Sequence, residues 1–250
     1  FASNLVTGDV INFIHILGSV LDLGVPSDNT VTAAKVANDL ISGKTALASE
    51  PADTDEFLVS DAGVLKRIDY SLIKGGGSHV LLSTTTVSSG VAQVDITSNI
   101  DSTYNNYLLS ITNMHIASSS NFRMRFFTGT GGSQAVDTGS NYTYGGDGRR
   151  SDAVIQEGAA SNDHMVVSIG QNIGSDNEDS LCANFYLCNP SNTTFNTLLH
   201  GSFVFQDGSN RAAGGTNFLS YQSTTAVTGV RFYMESGNID SGIFKLYGIV

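Results

Sequence analysis

Apolar and polar residues recur along this chain with two different periods. From residue 9 to 23 the apolar positions step by three and four, as Val10, Phe13, Leu17 and Val20, flanked by Ile14 and Leu21. That spacing puts them on one face of a helix, with Asp9 placed to cap its start and Gly24 to stop it. The predicted helix is too apolar to face water on all sides. It needs cover, either from its own domain or from copies of itself in a short bundle. A second helix is expected over residues 30–42, opened by Asp28-Asn29-Thr30 and closed by Gly43. Next comes a hairpin pattern: Phe57-Leu-Val-Ser60, a turn at Asp61-Ala-Gly63, then Val64-Leu-Lys-Arg-Ile68. A two-stranded hairpin is not stable alone. These three elements have little capacity for a private core, and stacking against other copies of the chain is the simplest remedy.

After Gly75-Gly-Gly77 the period changes to two. Strands are expected at residues 79–83, 90–97, 107–113, 121–127, 164–170, 181–189, 198–206, 227–235 and 242–250, separated by turn-forming clusters. Phe122, Met124 and Phe126 fall on one face of their strand and Arg123 and Arg125 on the other; Val230, Phe232 and Met234 oppose Arg231, Tyr233 and Glu235. Many short strands with no long helical pattern between them predict an antiparallel β-sandwich or jelly roll. The expected organisation is a helical and hairpin stalk over residues 1–77 that anchors and oligomerises, followed by a β-sandwich head over residues 78–250.

Composition agrees. Ser (31), Thr (22), Asn (20) and Gly (27) make up 100 of the 250 residues, while charged residues are 14% and the hydrophobic set 40%. Such a chain has enough apolar material for a core and favours turns and solvent-facing strand positions over helices. The net charge is −11, with only 12 Lys and Arg. A phosphate-binding surface needs dense basic charge, so nucleic acid and anionic membrane are not expected partners. No apolar run nears the length of a membrane span and no basic leader precedes the apolar N-terminus, so neither membrane insertion nor a signal peptide is expected. The first residue is Phe1, which reads as a mature start or the edge of a longer chain.

Candidate chemistry is sparse. Cys182 and Cys188 share one face of a predicted strand, roughly 20 Å apart, which is beyond disulfide reach. The five histidines, His15, His79, His115, His164 and His200, show no ligand spacing, and neither a metal nor a cofactor is expected. No Gly-x-Ser-x-Gly elbow is present, and Gly129-Thr-Gly-Gly132 and Gly145-Gly-Asp-Gly148 lack the Lys-Ser/Thr that a phosphate loop requires. The acids of Asp176-Asn-Glu-Asp179 carry no spacing that separates a catalytic pair from solvated loop residues. Ligand-facing residues are expected instead in the turn-rich region 128–163, at Tyr142, Tyr144, Asp147, Arg149, Arg150 and Asp152, where aromatic rings and planar polar groups together suit a sugar. The paired arginines equally suit an ion pair between subunits.

The stretch from Lys44-Thr-Ala-Leu-Ala-Ser-Glu-Pro through Phe57-Leu-Val-Ser-Asp-Ala-Gly-Val-Leu-Lys-Arg-Ile-Asp-Tyr70 resembles the shaft and linker segments of tail-fibre-like virion proteins of bacteriophages, marine ones in particular. Tyr107-Leu-Leu-Ser-Ile111, Asp137-Thr-Gly-Ser-Asn-Tyr142, Phe185-Tyr-Leu-Cys-Asn-Pro-Ser-Asn-Thr-Thr194 and Ser241-Gly-Ile-Phe-Lys-Leu-Tyr-Gly-Ile249 are similar to the recurrent C-terminal β-domain of those proteins. The resemblance implies a non-enzymatic homotrimer, assembled in a host cytoplasm and displayed on the outside of the particle. It also implies that the N-terminal segment meets other virion proteins and the sandwich meets a host-surface glycan or protein. The same architecture serves as a capsid decoration, cement or head-fibre protein, and a glycan-hydrolysing tailspike is a third reading.

Overall fold

The computed structural model describes residues 6–8, 10, 31, 35–37, 39–74 and 77–250. The chain divides into two compact units, Phe1–Lys74 and Gly75–Val250.

In the first unit, strand β1 (Glu56–Asp61) pairs antiparallel with β2 (Val64–Asp69), and a one-turn helix α1 (Tyr70–Ile73) follows. Asp61 pairs directly with Val64, so Ala62 and Gly63 alone form the turn, both at positive φ (50° and 86°). That is the type I′ geometry, whose twist matches the flanking strands. The hairpin has no buried face: Leu58 is 75% and Leu65 69% exposed. The helix expected over residues 9–23 lies outside the described residues except for Val10, which is exposed; Phe13, Leu17 and Val20 are among those not described. Of the second predicted helix, the described residues 39–43 form a run of turns closed by a hydrogen bond from Gly43 N–H to Asp39 O.

The second unit is a β-sandwich. Its strands are β3 (His79–Val87), β4 (Gln93–Ile96), β5 (Asn106–Ile116), β6 (Phe122–Thr128), β7 (Ala135–Val136), β8 (Tyr142–Arg150), β9 (Ala153–Asn162), β10 (Met165–Val166), β11 (Leu181–Cys188), β12 (Thr197–Gln206), β13 (Ala212–Tyr221), β14 (Val227–Met234) and β15 (Ile239–Ile249). Eight of them form one antiparallel sheet in the order β3-β15-β5-β11-β12-β13-β8-β9; a five-stranded sheet runs β10-β6-β14-β4, with β7 on β6.

The period of two in the sequence decides which side chains enter the core. Leu181, Ala183, Phe185 and Leu187 of β11 are all buried, as are Phe122, Met124 and Phe126 of β6 and Val230, Phe232 and Met234 of β14. Aromatic contacts join the two sheets. Phe232 stacks on Phe122 within the smaller sheet (centroids 5.6 Å apart) and meets Phe244 of the larger (5.7 Å), while Phe126 meets Tyr221 edge-on at 5.3 Å.

Four strands depart from expectation. The region 128–163 is not an open loop: β8 and β9 occupy most of it and extend the larger sheet. β13, with Ala-Ala-Gly-Gly-Thr-Asn at its start, pairs along its whole length with β12. The strand expected at 164–170 shrinks to Met165–Val166, and residues 167–170 form a turn with left-handed backbone at Ile169 (φ 44°) and Gly170 (φ 69°).

Candidate functional site

The folded chain separates the six residues the sequence groups together. Tyr142 and Tyr144 point into the core and are 0% and 4% exposed. Neither presents a ring to a ligand, which corrects the expectation for both. Their hydroxyls are committed inside. Tyr142 accepts from Phe126 N–H (2.9 Å) and donates to Asp137 O (3.0 Å), and burial pushes its phenol far above the ordinary range, as burial also raises that of Tyr144. Asp137 gathers this corner: its carboxylate accepts from the Tyr221 hydroxyl, from Asn141 Nδ2 (2.7 Å) and from Gly139 N–H (2.7 Å). Burial by itself would raise the Asp137 carboxyl. The donors of Tyr221, Asn141 and Gly139, with the charge of Arg125, outweigh it and hold the group below its usual value.

Alternation splits the neighbouring arginines. Arg149 is on the outer face of β8, with Asp147, whereas Arg150 faces the inner side, opposite Ala213. There Arg150 donates to Asp152 (2.5 Å) and to Gln171 (3.1 Å); Asp152 also accepts from Arg211 (3.0 Å), which pairs with Asp207 at 2.8 Å. The arginine therefore finds its acid within its own chain. Its guanidinium lowers the Asp152 carboxyl, first through the hydrogen bond and then through charge. This ion-pair chain borders a polar cleft of about 510 Å³, lined by Ser119, Gln171, Asp176 and Ser209 among others. Both arginines are already paired, so the cleft offers hydroxyls and amides rather than an open cationic clamp.

The outer face of the eight-stranded sheet is a different surface. Register lines up Tyr247 of β15, Leu108 of β5, Tyr186 of β11, His200 of β12, Phe218 of β13 and Gly145 of β8 in one row perpendicular to the strands. Leu81 extends the row at one end and Gly158 at the other. The rings of Tyr186 and His200 stack at 5.3 Å with 19° between their planes. Phe218 is 60% exposed, and its ring tip sits 2.8 Å from where a Cβ on Gly145 would stand, so the ring reaches over the space that glycine leaves open. Beside it, Gly145, Gly158, Asp147 and Gln156 border a shallow depression of about 480 Å³. The next row holds Lys245, Ser110, Asn184, Ser202, Thr216 and Asp147 in unbroken register. The sequence reading missed Phe218 and Gln156. The one signal for Phe218 is its place two residues before Ser220 and four after Gly214 in a strand whose glycines read as turn.

Among the described residues no helix is long and apolar enough to cross a membrane, and no three His, Cys, Asp or Glu side chains are grouped to hold a metal. Compared with models of known protein families, with curated proteins and with solved structures, the chain matches none.

Proposed function

We propose that the chain is a structural component of a bacteriophage virion, a tail-fibre-like homotrimer whose C-terminal sandwich contacts the host surface without bond-breaking chemistry. The observation that carries the reading is the contrast between the units. The sandwich closes its own core, whereas in the first unit the hairpin leaves Leu58, Leu65 and Val64, and the one-turn helix Leu72, more than half exposed. A hairpin of that kind is not stable alone, and other chains packed against those side chains would stabilise it. The resemblance of residues 44–70 to tail-fibre shafts supplies the identity of those chains as further copies.

Mass in solution tests the assembly. A trimer has three times the 26.3 kDa of one chain, and a monomer at micromolar concentration with intact β-sheet signal would remove it. Gold labelling of intact virions tests the location: label on the tail supports the reading, and label on capsid faces replaces it with a head-decoration role. Release of reducing ends from host polysaccharide would overturn the absence of catalysis.

A further inference from the structure

We propose that the outer face of the eight-stranded sheet binds a neutral, linear glycan laid across the strands, with Phe218, Asp147 and Gln156 forming the subsite at its β9 end. The proposal rests on the host-attachment reading and names the chemistry of what is contacted. Three features of the face select this ligand.

The first is ring geometry. A pyranose has one flat side of polarised C–H bonds, and these favour the negative face of an aromatic ring. Phe218 reaches over Gly145, tip nearest, and stays 60% exposed, because the glycine has no side chain to hold the ring off; the ring is thus open to a sugar from the solvent side. The second is spacing. Tyr247, Tyr186 and Phe218 come from every second strand of the row, about 10 Å apart at the usual strand separation. An extended glycan repeats its orientation every second sugar over a similar length.

The third is charge and hydrogen bonding. The row of rings holds no Asp, Glu, Lys or Arg, and the row beside it offers hydroxyls and an amide between Lys245 and Asp147 near its two ends. Ser110, Asn184, Ser202 and Thr216 both donate and accept, as sugar hydroxyls do. A polyanion finds no basic strip here, and an anionic lipid surface finds none either. At the β9 end Asp147 pairs in register with Gln156 beside the Phe218 ring. A carboxylate there accepts two hydroxyl protons and the amide supplies the complementary donor.

The test uses the full chain. Cellohexaose, mannohexaose and maltohexaose are titrated by calorimetry, with hexagalacturonate as the charged control, and adsorption of labelled protein to a panel of intact bacteria is followed in parallel. The same measurements are made on Phe218→Ala and Asp147→Asn, with circular dichroism confirming the sheet; should Phe218→Ala lose that signal, Asp147→Asn and Gln156→Ala decide. The expected result is binding of at least one neutral hexasaccharide that Phe218→Ala weakens roughly tenfold, with hexagalacturonate weaker still. Absence of neutral binding, binding indifferent to the substitutions, or preference for hexagalacturonate would each overturn the site. A change of mass in solution in Phe218→Ala would overturn it too, by making the row a contact between copies. Adsorption to bacteria that survives the substitutions removes this site and keeps host attachment. Saccharide binding without adsorption keeps the site and removes host attachment.

Discussion

Phe185 and Tyr186 are neighbours on β11, and the sheet sends them to opposite sides. Phe185 is fully buried between the two sheets, while Tyr186 stands on the outer face, 37% exposed and stacked on His200. The same division runs through β12 and β13, where Phe203 and Leu219 face in and Val204 and Phe218 face out. Apolar residues on the inner face are explained by the core. Those on the outer face are not, because an aromatic side chain gains little stability from lying against water. Two faces with similar side chains and different surroundings are therefore under different demands, one of packing and one of contact.

The largest expected effect separates the two faces at that adjacent pair. Phe185→Ala leaves a hole among fully buried neighbours and costs about 3–5 kcal/mol, whereas Tyr186→Ala changes stability by only about 0.5 kcal/mol. Urea titration of both variants checks this. Equal losses would mean that the outer row is part of the packed structure, and the functional reading of that face would fall.

The tyrosines sharpen the comparison next. On the inner face the Tyr221 hydroxyl ends on the Asp137 carboxylate and that of Tyr142 on the Asp137 backbone carbonyl, which alanine keeps; Asp137→Ala therefore strands the donors of Tyr221, Asn141 and Gly139 and costs about 2 kcal/mol. Its pH dependence has a definite sign. The Asp137 carboxyl is lower in the folded state than the ordinary 3.8, so its stabilisation is complete above that value and is lost as pH falls through the lower folded value. The stability gap between wild type and Asp137→Ala should therefore hold at neutral pH and narrow below about pH 4. A gap that widens in acid would show that the carboxyl is not held ionised by these donors.

Most of the inner face was legible in the sequence. Runs such as Leu181-Cys-Ala-Asn-Phe-Tyr-Leu-Cys188 and Phe122-Arg-Met-Arg-Phe126 alternate large apolar residues with polar ones, and the buried set follows that alternation residue by residue. β8 and β13 were not legible, because Gly145, Gly146, Gly148, Gly214 and Gly215 read as turn chemistry. In the fold the glycines are needed where the chains approach closely: a Cβ on Gly148 would stand 2.3 Å from Gly214 O, and one on Gly215 equally close to Asp147 O. Tyr142 and Tyr144 were misplaced for a related reason. Once 142–150 is read as loop, its tyrosines look available, whereas as strand residues two apart they share the inner face. The row of Tyr247, Tyr186, His200 and Phe218 was beyond reach, since it draws on strands far apart in sequence and exists only through register. The hairpin turn at Ala62-Gly63 was legible because the turn sequence is local.

The smallest expected effect falls on a glycine of the outer face. At Gly145 the backbone φ is not left-handed, so alanine is conformationally allowed there, and it removes some freedom from the unfolded chain. The nearest atom the new Cβ would meet is the tip of the Phe218 ring, at 2.8 Å. That ring is mostly exposed and can swing outward, so Gly145→Ala should shift stability by less than about 1 kcal/mol in either direction. The ring nevertheless has to leave the strand. Its proton shifts should move, and neutral hexasaccharide binding should weaken although Phe218 itself is unchanged. A variant that keeps both stability and saccharide affinity would show that a ring reaching over Gly145 is not what the ligand recognises, even if Phe218→Ala had abolished binding.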